Sequence, residues 1–85
     1  NTCVGHGAGY TISDALGNTC IGYSAGNAIS TADRNTCVGP WAGDVITTGD
    51  QNVIVGNNCD PSAYNGSNQT VLGSGAVGSA KSIRY

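Results

Sequence analysis

Large side chains and charged residues are scarce in this sequence. The chain has no Phe, no Met, one Trp and only 9% charged residues, against 14 glycines in 85 residues. So few bulky side chains cannot fill the core of a conventional globular domain, and stability must come from another architecture. Disorder is disfavoured as well, because disordered chains combine low hydrophobicity with high net charge. Here 39% of the residues are hydrophobic and the net charge is −2.

Other absences exclude whole classes of function. The basic residues are Arg34, Lys81 and Arg84 alone, so no phosphate-binding patch can be assembled and we predict no nucleic-acid partner. No apolar run of about 18 residues is present, so we predict no membrane insertion. Glutamate is absent and His6 is the only histidine, which leaves no paired Glu–Asp site and no tetrahedral ligand set. We therefore predict no enzyme activity, no metal ion and no cofactor.

A 17-residue repeat organises the whole chain. A Val, Ile or Leu followed by glycine recurs at this spacing without a single insertion, which divides the chain into repeats 1–17, 18–34, 35–51, 52–68 and 69–85. The repeated glycines are Gly5, Gly22, Gly39, Gly56 and Gly73. Internal repeats of this length are typical of stacked structural units. Because the chain opens and closes on repeat boundaries, we interpret residues 1–85 as one β-solenoid domain and a fragment of a longer fibre.

Each repeat is too short for a pair of helices and contains two short β-prone runs separated by glycines. The sequence therefore predicts an all-β fold, a parallel β-solenoid (β-roll) of five 17-residue coils. We place one strand at repeat positions 2–4 and a second near positions 11–13. Stacked coils put equivalent residues into columns at a spacing of about 4.8 Å, so five coils make a rod roughly 24 Å long.

Two of these columns are predicted to be structural. At position 1 the amides of successive coils can hydrogen-bond to each other as a ladder, which Gln69 can continue. The ladder residues are Asn1, Asn18, Asn35 and Asn52. At position 5 the glycines described above predict a turn with positive φ or a close approach of two backbones.

The first strand is apolar on both faces, which predicts assembly of several chains. Position 4 is always Val, Ile or Leu, and alternation along a strand points position 3 to the opposite face. One face must pack inside the coil, and a second exposed apolar stripe is unfavourable for a soluble monomer. We predict that position 3 forms the subunit interface of a homo-oligomer, three chains side by side as a trimeric fibre. The interface candidates are Cys3, Cys20, Cys37, Ile54 and Val71.

Three of the four cysteines share position 3, and Asp33 and Asp50 share position 16. Free buried thiols are favoured over a disulfide, because in-register parallel side chains rarely reach the required dihedral angle. Solvated turn residues are favoured over a calcium site for the two carboxylates. The variable turns carry His6, Tyr23 and Trp41, which are the candidates for receptor contact because aromatic rings stack on apolar faces of ligands.

The run Asn1-Thr2-Cys3-Val4-Gly5 and its equivalents at 18–22 and 35–39 resemble the Asn-Thr-Ala-Ile/Val-Gly repeats of viral and bacteriophage tail fibres. They are also similar to the Ser-Val-Ala-Ile-Gly repeats in the head domains of trimeric autotransporter adhesins. The resemblance implies a left-handed parallel β-roll, three chains around a long axis and a location on a virion surface fibre or a bacterial cell surface. The unit is longer than the adhesin head coil, and Cys stands where Ala is usual.

From these observations we expect a structural segment of a trimeric fibre that acts as a rigid spacer. Its expected partners are further copies of itself and, through the turns, a host-surface glycan or protein receptor. Two alternatives stay open. One is an ice-binding β-solenoid with a threonine column that Val53 interrupts, and the other is the non-catalytic part of a fibre-borne enzyme that degrades polysaccharide.

Overall fold

The computed structural model is a parallel β-solenoid whose six strands form one sheet in chain order. The structure describes residues 1–78 and the backbone of 83–84, and no helix occurs among them. This confirms the predicted all-β class and the predicted solenoid. Five strands have three residues and the sixth has two. They are β1 (Thr2–Val4), β2 (Thr19–Ile21), β3 (Thr36–Val38), β4 (Val53–Val55), β5 (Thr70–Leu72) and β6 (Ile83–Arg84).

Strands β1 to β5 stack in register, one repeat apart. Thr2 pairs with Thr19, and the same offset of 17 residues holds at every pair through β5. The sixth strand departs from this period, because Thr70 pairs with Ile83, an offset of 83 − 70 = 13 residues. Since each strand is short, register depends on the side-chain columns that stack above and below it as well as on the backbone ladder.

The predicted second strand at positions 11–13 is wrong. In the first coil, Ala8 N–H donates to the Gly5 carbonyl at 3.2 Å and Ile12 N–H to the Gly9 carbonyl at 3.1 Å, so this stretch is a series of tight turns. Gly7 and Gly9 have φ of 74° and 60°, which interrupts any extended conformation. Single bonds such as Ser13 N–H to the Ser30 carbonyl, 3.1 Å, still join this side of the coil to its neighbour.

The interior of each coil is narrow and is filled by small side chains. Four columns at positions 3, 8, 12 and 15 supply the core, whose buried members are at most 2% exposed, while Ala8, Ile12 and Ala76 are partly buried. In the fourth coil Ile54 replaces the cysteine and is fully buried, while Ala63 stands where isoleucine is usual and is exposed. The buried core residues are Ala15, Cys20, Ala25, Ile29, Ala32, Cys37, Ala42, Ile46, Ile54, Cys59 and Val71.

The position 3 column is inside the coil, which corrects the predicted subunit interface. Of the candidates Cys3, Cys20, Cys37, Ile54 and Val71, the last four are 0% exposed within one chain, and only Cys3 in the first coil is exposed. The reason lies across the coil, at the glycine of position 9. A Cβ at Gly26 would lie 2.7 Å from the Cys20 sulfur, so the glycine leaves the space into which the thiol packs. Position 4 therefore faces outward.

The glycines of position 5 are required for two reasons. Gly22 has a φ of 126°, in the region that disfavours side chains, and the other four glycines of this column are also positive. A Cβ at Gly22 would lie 2.7 Å from the backbone carbonyl carbon of Gly39 in the next coil. Both expectations for this column, positive φ and close backbone approach, are met in the structure.

Among the described residues there is no helix long and apolar enough to cross a bilayer.

Candidate functional site

The asparagine column is a continuous hydrogen-bonded ladder in the structure. The Asn35 amide donates to the Asn18 side-chain oxygen at 3.2 Å and to the Gly49 carbonyl at 2.8 Å. Its own side-chain oxygen accepts the Asn52 amide at 2.9 Å and the Asn52 backbone N–H at 3.0 Å. Asn1 and Asn18 interact in the same way at the first rung, where the amide of Asn18 donates to Asn1 at 3.1 Å. The donors and acceptors of the ladder amides are thus used within the fold.

Gln69 continues this ladder only through its backbone. Its N–H donates to the Asn52 side-chain oxygen at 3.1 Å. The Gln69 side chain turns instead toward Ser62, accepting its backbone N–H and donating to its hydroxyl, both at 2.8 Å. The glutamine therefore ties down the irregular fourth coil, in which Pro61 is buried.

A second ladder, at position 16, is a feature that the sequence analysis missed. The Asp33 carboxylate accepts the backbone N–H of Leu16 at 2.8 Å, and the Asp50 carboxylate accepts that of Asp33 at 2.7 Å. The Ser67 hydroxyl continues the series by accepting the Asp50 N–H at 2.9 Å. Asp33 and Asp50 are structural acceptors and not simply solvated turn residues. Their shared repeat position was the signal that could have identified this role.

All four cysteines are free thiols in the structure. Hydrogen bonding with the Cys20 thiol, followed by burial, raises the pKa of Cys37 above its ordinary value. Burial, with the nearby charge of Asp60, raises the pKa of Cys59. Protonated, buried thiols such as those of Cys37 and Cys59 are poor nucleophiles and poor metal ligands, whereas hydrogen bonding with Cys37 lowers the pKa of Cys20. No group of three or more His, Cys, Asp or Glu side chains within the described part of the chain is placed to hold a metal ion.

One carboxylate pair stands out electrostatically. One oxygen of Asp60, Oδ1, is buried without a hydrogen-bond partner. Burial and the neighbouring Asp44 carboxylate raise the pKa of Asp60 to about 6. Asp60 lies in the fourth coil, where the sequence departs from the repeat, and its proximity to Asp44 of the third coil is electrostatically unfavourable. It makes this coil sensitive to pH.

The outward side of the sheet carries no charged side chain at positions 2 and 4 of strands β1 to β5, and we call it the outer strand face. It consists of two parallel columns, one at position 2 that is mostly threonine and one at position 4 that is wholly aliphatic. Val4 is 57% exposed, Ile21 40% and Val55 36%. In-register stacking repeats this pattern about every 4.8 Å along the rod. The two columns are Thr2, Thr19, Thr36, Val53 and Thr70, and Val4, Ile21, Val38, Val55 and Leu72.

Beside this face, the structure brings together the three predicted receptor-contact residues His6, Tyr23 and Trp41, which we call the aromatic column. The rings of His6 and Tyr23 are stacked, with centroids 5.3 Å apart and planes 10° from parallel. Tyr23 and Trp41 meet edge to face, with centroids 5.2 Å apart and an angle of 72°. Tyr23 is 49% exposed and Trp41 45% exposed. The column is a packed aromatic surface open to solvent along one side of the rod.

Trp41 has an unusual backbone conformation for its size. Position 7 requires positive φ in every coil described, and Gly7, Ser24, Asn58 and Gly75 there have values between 55° and 74°. Trp41 adopts 56° at the same position. The left-handed conformation costs a residue with a side chain about 1–2 kcal/mol, and burial does not explain this choice because nearly half of the indole is exposed. Residues held in such conformations are enriched at functional sites.

The described coils form no pocket. No protein-family model, no curated protein and no solved structure matches the chain. The outer strand face and the aromatic column are therefore the basis for assigning a function.

Proposed function

We propose that this chain is a structural segment of a trimeric fibre, a rigid spacer on the surface of a virion or a bacterial cell that also takes part in attachment. The observation that carries the proposal is the exposed aliphatic column of the outer strand face. Val4, Ile21 and Val55 stay 36–57% exposed when the chain is alone. Water-exposed apolar stripes mark interaction surfaces, and association with identical copies would cover this one.

The internal bonding of the rod supports the spacer role. The sheet joins each of the first five coils to the next, the asparagine column with Gln69 does so as well, and the position 16 ladder joins the first four coils. Consecutive strands from β1 to β5 are each separated by 14 residues, so no repeat carries an insertion. Each 17-residue repeat therefore adds about 4.8 Å to the length of the rod, and its hydrogen bonds to the neighbouring repeats restrict bending between coils.

The area of the outer strand face sets the expected strength of association. Three residues at about 3.3 Å each, over a rod roughly 24 Å long, make a face of about 240 Å² in projection. Stable interfaces bury about 800 Å² per partner, so five coils supply only part of such a contact. The proposal therefore implies a weak trimer for this segment and an affinity that rises with the number of coils.

Sedimentation equilibrium over a range of concentrations tests the proposal. We expect the mass of the wild type to rise toward three chains as concentration increases. Ile21→Asp places a charge in the aliphatic column and should remain monomeric. Tyr10→Asp is the matched control, because Tyr10 is 81% exposed but lies at position 10, off the outer strand face. A wild type that is folded and monomeric up to its solubility limit would refute the trimer.

The regularity of the same face favours a second candidate function, ice binding. Threonine occupies four of the five places at position 2, and the adjoining column is aliphatic, so methyl groups and hydroxyls repeat at the strand spacing. Such a surface could order water instead of binding another chain. Thermal hysteresis in the wild type, abolished by Thr36→Lys, is the expected signature of this alternative. Its absence would dismiss ice binding and leave the fibre proposal standing.

A further inference from the structure

We infer that Trp41, together with Asn57 and Asn58 of the next coil, forms a contact site for a neutral saccharide. The inference rests on the attachment role proposed above and identifies the chemical class of its partner. It does not require the trimer, since all three residues belong to one chain and occupy positions 6 and 7 of adjacent coils.

The orientation of the rings distinguishes Trp41 from the other two aromatics. His6 and Tyr23 come from consecutive coils and their ring planes are 10° from parallel, so each ring is stacked on the other. Trp41 instead meets Tyr23 edge to face at 72°, so Tyr23 is not stacked on its indole, and the residue is 45% exposed. A sugar ring has a face of C–H groups that packs against such an exposed aromatic face.

The fold itself does not account for a tryptophan at this position. Equivalent places are filled by Gly7, Ser24, Asn58 and Gly75, all with positive φ, so the position accepts small or polar residues and needs no bulky side chain. The backbone at this position links two coils, because Trp41 N–H donates to the Tyr23 carbonyl at 2.8 Å, and this hydrogen bond does not involve the indole. Trp41 contacts Tyr23 edge to face, yet it stays 45% exposed in a conformation that is costly for a residue with a side chain, which indicates a ligand-contact role beyond this packing.

The neighbouring polar groups fit the hydroxyls of a sugar. Asn57 and Asn58 are exposed, and their backbones already join the coils, since Asn58 N–H donates to the Pro40 carbonyl at 2.9 Å. A side-chain amide offers both donors and an acceptor, which is what vicinal hydroxyl groups require. Aromatic face and amides thus lie side by side on the rod surface.

The charge of the surface selects a neutral ligand. Positions 4–8 contain no Lys, Arg, Asp or Glu in any of the five repeats, and the net charge of the chain is −2. An anionic polysaccharide would meet no cation here and would be repelled by the chain as a whole.

Intrinsic fluorescence tests the inference directly, because Trp41 is the only tryptophan. We expect a saturable change on titration of the full chain with cellohexaose or maltohexaose, and none with an oligogalacturonate of the same length. Trp41→Gly suits the backbone and should fold. In calorimetric titrations with the responding hexasaccharide its affinity should fall about tenfold or more, as expected when one aromatic contact is lost. Asn58→Gly should weaken binding to a smaller extent.

Tyr64→Ser is the matched control, since Tyr64 is 58% exposed but lies at position 13, and it should bind as the wild type does. The inference is overturned if neither neutral hexasaccharide produces a saturable change, if Trp41→Gly binds as tightly as the wild type, or if oligogalacturonate binds better. Sedimentation of the same samples separates the two proposals. Trimers without saccharide binding would overturn this inference alone, whereas binding by a monomer would sustain it and count against the fibre.

Discussion

The central rung of the asparagine ladder offers the sharpest test of how this rod is stabilised. Asn35 is 0% exposed and its side chain takes part in four hydrogen bonds. Replacing it by alanine leaves the Gly49 carbonyl and the Asn52 backbone N–H without these partners. Each unsatisfied buried group costs about 1–3 kcal/mol, so Asn35→Ala should lower the free energy of unfolding by about 2–6 kcal/mol.

This loss is large on the scale of the whole domain. At about 0.05–0.15 kcal/mol per residue, a chain of this length has a stability of roughly 4–13 kcal/mol. Urea denaturation followed by far-ultraviolet circular dichroism measures the difference, and fluorescence of Trp41 in the same coil reports whether the transition is two-state.

Two comparisons make the outcome decisive. Thr31→Ala, an exposed position in the preceding coil, should change stability by less than about 0.5 kcal/mol. Asn1→Ala should cost less than Asn35→Ala, because Asn1 is exposed and water can replace its hydrogen bonds. If Asn35→Ala cost under about 1 kcal/mol, the reasoning that the ladder satisfies buried backbone groups would be refuted.

Three further predictions follow from other columns of the rod. Gly22→Ala combines a φ of 126° with a Cβ only 2.7 Å from the Gly39 carbonyl carbon, so we expect a loss of several kcal/mol or failure to fold in urea denaturation. Gly75→Ala has a φ of 71° but a Cβ that meets nothing within 4 Å, so it should cost only the backbone strain of about 1–2 kcal/mol. Because burial and Asp44 raise the pKa of Asp60 from 3.8 to about 6, the folded state binds this proton more tightly than the unfolded state. Stability should therefore fall as the pH rises from about 4 to about 6. Asp60→Asn should remove this fall from the pH profile of the melting temperature. A profile that the substitution leaves unchanged would contradict the raised pKa of Asp60. Of the four thiols, Cys3 is exposed and the other three are buried. One equivalent per chain should therefore react rapidly with a thiol reagent under native conditions, and all four should react after unfolding. Rapid native reaction of more than one thiol would show that the coils open.

Columns whose role depends only on stacking could be predicted from the sequence. Gly22 must stand over Gly39 and Asn18 over Asn35 once the period is known, because a constant period places equivalent residues directly above each other. The same logic would have identified the Asp33 acceptor, had its backbone partner been considered.

Features that depend on the path of the chain within a coil could not be predicted in this way. The second predicted strand is replaced by turns, as in the bond from Ile12 N–H to the Gly9 carbonyl at 3.1 Å, a path that composition permits but does not require. The stacking of His6 on Tyr23 likewise depends on rotamers and on turn geometry, although their shared position brought them into adjacent coils.

The period, the solenoid and the structural columns were determined by the sequence alone, since repetition leaves stacking as the way to bury each repeat against the next. Only the tertiary structure decided which face of the strand is the core. Alternation puts Cys20 and Ile21 on opposite sides but does not say which side is inside. That choice was made across the coil, where Gly26 leaves space for the sulfur of Cys20, so the cysteines are buried and the aliphatic column is left on the surface.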